Sequence, residues 1–474
     1  MPFLNVKTEI AKIKKSFHMG CDFGERLLTK EQGTVGFVYL KSMVDNLLFS
    51  QSIYLPLEKF EGDLNATVLT NKVIQCNDVR QIQESEVVDC ILKGGVVLIF
   101  QNGDYLNVDI QKFPSRIPSE PPTSPVIQGP REGFVEDIKT NMTLLRRSIR
   151  SKDLVLKSFF VGKYSNTQVV VAYIDGIADK SIVDKVCQKI EKISIDGIID
   201  SFYVLSFLQD RPNSLFKQIG NTEKPDVVSA KMLEGKVAII VDNSPIVLTV
   251  PFVIFEELQN SNDYYTNHHY SSLVRVIRML GMLIAIISPG LYLALELYHY
   301  NLLPLNFLIT IADTAQGLPF TPFLEILFIF LLFQVLYEVS LRLPSYLGLA
   351  TSIVGALILG DTGVKAGLIS PPGVIIVALA KIALYTIPEQ ASQVSVLQVI
   401  FIILGGSLGL GGLVAGMVYF VNYLNTLDSF GTPYLAPYSP RVPEDLKDGV
   451  FKSPINDMKT RPKTFKNKNK VRSK

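Results

Sequence analysis

At residues 322–341 the chain reads PFLEILFIFLLFQVLYEVSL, and Arg342 follows directly. An α-helix needs about 20 mostly apolar residues to cross the hydrocarbon core of a bilayer. This stretch has that length and carries only two charged residues, Glu325 and Glu338. It therefore predicts a transmembrane helix and makes the chain an integral membrane protein.

The region between residues 279 and 425 contains further long apolar runs with few charges. Four of them reach or approach spanning length: 279–298, 348–368, 372–388 and 396–424. A shorter apolar piece at 302–311 is compatible with a short span, an interfacial helix or a re-entrant segment. The last run is too long for one untilted helix and too short for two, and it contains Gly405, Gly406, Gly409, Gly411 and Gly412. Small residues let helix backbones approach closely, so we interpret these glycines as packing positions in preference to a pore filter.

Positive charges mark one side of the apolar runs. Arg275 and Arg278 precede the first run, Arg342 follows the second, and the tail after Asp457 carries eight basic residues and no acidic one. The positive-inside rule then places both termini in the cytoplasm, which requires an even number of crossings. Since five strong runs are present, either 302–311 also crosses or one later run is re-entrant. The composition of the tail also predicts that it is disordered and lies near anionic lipid.

The half of the chain before residue 270 repeats one pattern. Two short apolar runs end in turn residues, which predicts a buried strand and a turn: ILKGGVVLIF at 91–100 and MLEGKVAIIV at 232–241. Upstream of each, a further apolar run precedes a helical pattern: GTVGFVYL at 33–40 and TQVVVAYI at 167–174. We therefore predict a cytoplasmic α/β N-terminal half made of two similar subdomains, followed by a polytopic all-α transmembrane domain.

The predicted domain boundaries follow changes in composition. The first α/β subdomain covers 1–113, and the second covers 131–270. Between them, the Pro/Ser-rich stretch PSRIPSEPPTSPVIQGP forms a stiff linker at 114–130. The transmembrane domain covers 271–430, and a cytoplasmic C-terminal segment with the basic tail covers 431–474.

Residue types that carry catalysis or bind metals are sparse and unsuitably spaced. The four cysteines form no CxxC pair and no metal-type spacing, and we expect free thiols in a reducing compartment. His268 and His269 are adjacent, so they point in different directions on a regular element. Glycine-rich loops with the standard spacings for phosphate are absent from the sequence. These patterns predict a protein that is not an enzyme, with no catalytic residue, no cofactor, no metal site and no nucleic-acid partner.

Polar side chains within the membrane half are the best candidates for function, because they are costly in hydrocarbon. Gln334, Glu338 and Arg342 recur every four residues and so form one polar face of the second helix. Glu325 near the start of that helix and Lys381 in a later run are secondary candidates. Two interpretations stay open. The face lines a polar pathway or a wet seam between subunits, or the residues pair structurally near helix ends and extend to the interface.

Several phrases, in this order along the chain, resemble one known family. The N-terminal half contains GPREGFVED at 129–137, VAYIDGIAD at 171–179, TEKPD at 222–226 and DYY at 263–265. The membrane half contains LPF at 318–320, LRLP at 341–344 and FGTPYLAP at 430–437. Together they resemble the A subunits of GerA-type nutrient germinant receptors of endospore-forming bacteria. The chain departs from that family at 337–339, which read YEV where Arg-Glu-Ala is usual. These residues include Glu338, so the polar face of the second helix differs from the one typical of the family.

The resemblance implies a function, a location and partners. It implies a receptor A subunit in the inner spore membrane, with the soluble half and the C-terminus on the core side. It implies a transporter-like B subunit, a lipoprotein C subunit and membrane lipids as partners. It further implies that A subunits form a homo-oligomer, which serves as an ion channel for ion release at germination.

Two other functions stay open from the sequence. The stage V sporulation F-type accessory membrane protein shares this architecture, and genes for B and C subunits beside this one would separate the two. A secondary transporter with a cytoplasmic regulatory domain would suit the interrupted run at 396–424. That function predicts an inverted repeat within 279–425, and we see none.

Overall fold

The computed structural model describes residues 5–18, 20–74, 76, 78–110, 128–343, 355 and 358–473. The chain divides into two units. The first comprises Met1–Phe252, Ser429–Thr432 and Ile455–Lys474, and the second comprises Val253–Asp428 and Pro433–Pro454. Most of the predicted linker at 114–130 lies outside the described residues, and so do residues 348–354, 356 and 357 of the predicted run at 348–368.

The first α/β subdomain is built on a five-stranded antiparallel sheet. Its strands are β1 (Phe23–Lys30), β2 (Gly33–Leu40), β3 (Val79–Ile82), β4 (Gly95–Phe100) and β5 (Tyr105–Asp109), in the spatial order β1-β2-β4-β5-β3. Its helices are α1 (Val6–Ser16), α2 (Asn46–Leu48), α3 (Leu55–Lys59), α4 (Ala66–Lys72) and α5 (Val87–Leu92), with a π-helical stretch at Phe49–Tyr54. Every residue of β4 is buried, which explains why this strand is a continuous apolar run.

The second α/β subdomain has the same sheet. Its strands are β6 (Leu154–Val161), β7 (Thr167–Ile174), β8 (Gly220–Thr222), β9 (Val237–Val241) and β10 (Val247–Val250), in the order β6-β7-β9-β10-β8. Its helices are α6 (Ile138–Ser148), α7 (Lys180–Glu191), α8 (Ser201–Leu208) and α9 (Pro225–Leu233). β4 and β9, which contain the repeated apolar runs, therefore take the same place in the two sheets. The predicted similarity of the two subdomains is confirmed.

The runs at 91–100 and 232–241 are not strands from their first residues, because each begins with the end of a helix. α5 ends at Leu92 and α9 ends at Leu233, and a glycine with positive φ follows each: Gly94 (φ 91°) and Gly235 (φ 99°). Glycine is the usual residue just after a helix because it adopts this left-handed conformation without strain. Each repeated pattern is thus the end of a helix, a glycine turn and a strand.

The basic tail is ordered in its described part and packs on the second α/β subdomain. Arg461 Nε donates to Leu233 O at 2.8 Å, and Asn467 Nδ2 donates to Glu234 O at 2.7 Å. Phe465 is buried. The expectation of a disordered tail is therefore wrong here, because tail side chains bind carbonyl groups that the C-terminus of α9 leaves without helical partners.

The second unit is helical. Its helices are α10 (Ser261–Tyr265), α11 (His268–Tyr298), α12 (Leu305–Ala315), α13 (Pro322–Arg342), α14 (Gly363–Lys365), α15 (Pro371–Leu384) and α16 (Ala391–Thr426). In the described part of the chain, three helical segments are long and apolar enough to cross a membrane: α11, α13 and Pro388–Thr426, which contains α16. α12 and α15 are apolar but shorter. The predicted fold class, an α/β half followed by apolar helices, is confirmed.

Glycines hold α11 and α16 close together. α16 is interrupted at Gly409, whose φ of 63° lies outside the helical range. A Cβ atom added to Gly405 would clash with Gly290 O, and one added to Gly290 would clash with Phe401 O. The two backbones are therefore in direct contact, as helices in membranes achieve through small residues.

Gly405→Ala is expected to destabilise the helical unit by about 1–3 kcal/mol, because the new methyl group overlaps the backbone of α11. Gly411→Ala is the matched control on the same helix, since nothing lies within 4 Å of its Cβ position and alanine has the higher helix propensity. Thermal unfolding of the purified chain in detergent measures both variants. Equal unfolding temperatures would contradict the packing role of Gly405.

Candidate polar site in the helical unit

Side chains from three helices meet at one buried point, which we term the polar node: Gln334 of α13, Lys381 of α15 and Gln398 of α16. Lys381 Nζ donates to Gln334 Oε1 at 2.8 Å and to Gln398 Oε1 at 3.1 Å. Gln398 Nε2 in turn donates to Ala285 O of α11 at 2.8 Å. Lys381 is 5% exposed and Gln398 is 0% exposed. The polar node therefore connects four helices through one buried ammonium group.

The ammonium group of Lys381 has polar acceptors but no neutralising charge among the described residues. Besides the two amide oxygens, it lies 4.2 Å from the ring centroid of Phe330, which is a cation–π distance. None of the ion pairs formed within those residues includes Lys381. A buried charge without a counter-charge is costly, so an ionisable side chain within a membrane segment is by default a candidate for function.

The well-defined start of α15 helps to position Lys381. The side chain of Ser370 caps this helix by accepting from the Gly373 N–H at 3.2 Å. Pro371 takes the first helical position, where a missing N–H group has no cost. Lys381 lies in the last turn, where the helix dipole favours a cation.

The predicted polar face of α13 divides into a buried and an exposed part. Gln334 joins the polar node, whereas Glu338 and Arg342 pair with each other further along the helix. Arg342 Nη2 donates to Glu338 Oε1 at 2.6 Å, and the side chains of Glu338 and Arg342 are 53% and 78% exposed. Pairs with this exposure contribute about 1 kcal/mol or less to stability. Because both side chains are exposed, the Glu338–Arg342 pair lies on the surface of a single copy of the chain.

Glu325 lies apart from the polar node, nine residues before Gln334 and so about 13 Å along α13. It is 4% exposed, and its Oε1 accepts from the Ser370 N–H at 2.6 Å. This position is the N-terminus of α15, where unpaired N–H groups and the helix dipole stabilise a carboxylate. A Cβ at Gly373 would lie 2.9 Å from this oxygen, so the glycine makes room for it.

The sequence patterns did not point to Gln398. It is a polar amide near the start of the apolar run at 396–424. A single polar residue among apolar neighbours is the signal that could have identified it. Its contact with Ala285 O joins residues 113 positions apart, so only the packing of α11 and α16 reveals it.

A second polar cluster, which we term the arginine clamp, surrounds the start of α11: Asp263, Arg275, Arg278 and Asp448. Arg275 Nε donates to Asp263 Oδ2 at 3.1 Å, and its Nη1 donates to Asp448 Oδ1 at 2.9 Å. Arg278 donates to both Asp263 oxygens, at 2.8 and 3.0 Å. The sequence identifies these arginines as topology markers. The structure adds that Arg275 binds the segment after α16, whereas Arg278 binds residues that precede α11.

The first unit contains a cavity of about 360 Å³ lined by residues of both α/β subdomains, among them Cys21, Lys41, Lys139 and Gln168. Burial raises the pKa of the Cys21 thiol to about 11, so the thiol stays protonated at neutral pH and is a poor nucleophile. Across the described ranges, no group of three or more His, Cys, Asp or Glu side chains could hold a metal ion.

Comparison with known proteins places the chain in a family. A profile described as "Bacillus/Clostridium GerA spore germination protein" matches residues 11–464. This chain belongs to the GerA family. A GerA relative, Spore germination protein KA of Bacillus subtilis (strain 168), is 34% identical over 442 residues, which are 92% of this chain and 81% of the relative. Uncharacterized membrane protein YfkQ of the same organism is 38% identical over 385 residues, 80% of this chain and 75% of the relative.

A solved structure is also similar. It is the crystal structure of the N-terminal domain of the A subunit of the Bacillus megaterium spore germinant receptor GerK3. The match covers 52% of this chain and 96% of that chain, at 26% identity and a TM-score of 0.38. Membership of the GerA family confirms, at the level of the family, the resemblance that the sequence phrases indicate.

Proposed function

We propose that this GerA family member is the A subunit of a nutrient germinant receptor, and that copies of it form an oligomeric ion channel that opens at germination. The family match over residues 11–464 carries the proposal. In this proposal the chain transduces a signal and catalyses no reaction. It works in the inner spore membrane with a transporter-like B subunit and a lipoprotein C subunit. Arg275, Arg278, Arg342 and the basic tail support an orientation with both termini on the core side.

The receptor role is tested in spores of the host organism. Spores that lack this chain are expected to lose ion release in response to a member of a panel of amino acids, sugars and nucleosides. They should still germinate with a stimulus that bypasses nutrient receptors. Affinity purification of the tagged chain from spore membranes should recover the B and C subunits. Unchanged responses to every nutrient of the panel would overturn the receptor role.

The polar node supports a gated path through the helical unit. The ammonium group of Lys381 is a fixed positive charge shared by α13, α15 and α16, and it would repel a cation passing close by. Displacement of one of these helices would remove a hydrogen bond from this charge. In this proposal the polar node therefore stabilises the closed state.

Lys381→Met is expected to raise ion release without nutrient by about tenfold or more. Methionine keeps much of the bulk of the lysine side chain, but it removes the charge and both hydrogen bonds. Each of these hydrogen bonds contributes about 1.5–3 kcal/mol. About 1.4 kcal/mol is already a tenfold shift between closed and open states. Ion release from spores with matched protein abundance measures the effect. Lys365→Met is the control, because Lys365 is exposed and pairs with Asp361 at 2.7 Å. Wild-type release from the Lys381 variant would contradict the gating role.

The exposed Glu338–Arg342 pair is proposed to face a neighbouring copy in the oligomer. Glu338→Gln keeps the shape of the side chain and removes its charge, so it is expected to alter nutrient-triggered release at normal protein abundance. Release near the wild-type level would assign the pair to a helix-end anchor and remove it from the proposed site.

A further inference from the structure

α12 is too short to cross a membrane. Its 11 residues span about 16 Å at 1.5 Å per residue, against a hydrocarbon core of about 30 Å. Connectors at 299–304 and 316–321 join it to α11 and α13, both of which have spanning length. At no more than about 3.6 Å per residue, these connectors keep α12 within reach of the bilayer surface.

One side of α12 packs on the protein, and the opposite side is polar. Ile311 is buried, and Leu308 is half-buried one turn earlier. Asn306, Thr310 and Asp313, which we term the polar stripe, recur at helical spacing and are exposed. Thr310 Oγ1 donates only within the helix, to Asn306 O at 2.9 Å. Among the described residues, Asp313 has no ion-pair partner.

A third side of α12 is apolar and exposed. Leu305 is 69% and Ile309 is 49% exposed, and Leu302 just before the helix is 66% exposed. We term these three residues the apolar face. Helical spacing places Leu305 and Ile309 between the packed side and the polar stripe. An apolar face beside a polar stripe is typical of amphipathic helices in a lipid–water interface. Tyr300, 51% exposed in the connector before α12, suits that depth, where tyrosine is enriched.

We propose that α12 lies in the lipid–water interface, with its apolar face among lipid acyl chains and its polar stripe in water. Lipid is the occupant that fits, because α12 is joined on both sides to apolar helices of spanning length. The orientation follows from Asp313, whose carboxylate is strongly disfavoured in hydrocarbon. α11 and α13 then cross in opposite directions, and the run at 302–311 does not count as a crossing.

Tryptophan fluorescence tests this placement, because the chain contains no tryptophan of its own. Four full-length variants in lipid nanodiscs each carry one probe: Leu305→Trp and Ile309→Trp on the apolar face, Asn306→Trp and Asp313→Trp on the polar stripe. Brominated acyl chains quench a probe in lipid, and iodide quenches a probe in water. We expect quenching by brominated lipid and protection from iodide on the apolar face, and the reverse on the polar stripe.

Leu331→Trp, at an exposed position in the middle of α13, is the reference for contact with lipid. Thermal unfolding checks each variant, and Ala312→Trp or Thr310→Trp replaces any variant that does not fold. Iodide quenching at all four positions would place α12 off the membrane. Quenching by brominated lipid at all four would place it within the hydrocarbon. Protection of the polar stripe from both quenchers would mean that a protein partner covers it. Each of these three results overturns the proposal.

Discussion

Arg275→Met is expected to lower the free energy of unfolding by about 3–5 kcal/mol. Arg275 is fully buried in the arginine clamp, where it donates to Asp263, to Asp448 and, at 2.7 Å, to Gly449 O. Methionine leaves these oxygens without that donor, and Asp448 loses its ion pair with Arg275. Denaturation of the purified full-length protein in detergent measures the loss.

Two comparisons isolate the contribution of the arginine clamp. Arg342→Met removes a cation of the same kind from an exposed pair, so it is expected to cost about 1 kcal/mol or less. Arg275→Met combined with Asp448→Asn also removes the charge that is left behind, so the double variant should be more stable than the single one. A loss for Arg275→Met no larger than that for Arg342→Met would show that the clamp does not hold the fold together.

Arg146→Met is expected to cost a similar amount and to loosen the contact between the two α/β subdomains. Arg146 of α6 binds Asp22, which directly precedes β1, through Nε–Oδ2 at 3.0 Å and Nη2–Oδ1 at 3.2 Å. This two-pronged geometry is among the stronger hydrogen-bonded pairs in proteins. Both side chains are 1% exposed, so the variant leaves a buried carboxylate without its cation, at about 3–5 kcal/mol. Denaturation measures the cost, and limited proteolysis shows the loosening.

The neighbouring arginine supplies the control for this second variant. Arg147 lies on the same helix and pairs with Glu132, but its side chain is 33% exposed. Arg147→Met is therefore expected to cost about 1 kcal/mol or less. Asp22→Asn added to Arg146→Met should recover part of the loss, because no charge is then left buried. Equal losses for the Arg146 and Arg147 variants would contradict a structural role for the buried pair.

The kind and order of the elements can be predicted from the sequence, because composition and period are local properties. In lipid every backbone polar group needs a partner within the structure, so a run such as 322–341 is stable there as a helix. α13 occupies Pro322–Arg342. The repeat of one apolar pattern likewise predicts two similar subdomains, and the identical strand orders confirm it.

Boundaries and the tail follow less directly from the sequence. The runs at 91–100 and 232–241 combine a helix end, in which Ile91, Leu92 and Met232 are buried, with a buried strand, so both parts contain apolar residues. Composition predicts disorder for the basic tail, since like charges with few apolar residues cannot form a core. Its order depends on contacts that composition does not show, such as the hydrogen bond from Asn467 Nδ2 to Glu234 O, 233 positions earlier.

Which polar residues meet was decided only by the tertiary structure. Gln334 and Glu338 share one face of α13 by their spacing, but only Gln334 contacts Lys381, because α15 and α16 bring Lys381 and Gln398 to that level of the helix. Arg275 and Asp448 meet across 173 positions. The sequence by itself therefore determined the apolar helices, the two α/β subdomains and the side chains that share a helix face. The polar node and the arginine clamp needed the tertiary structure, because partners across helices depend on packing between distant parts of the chain, whereas helical period relates only neighbours along it.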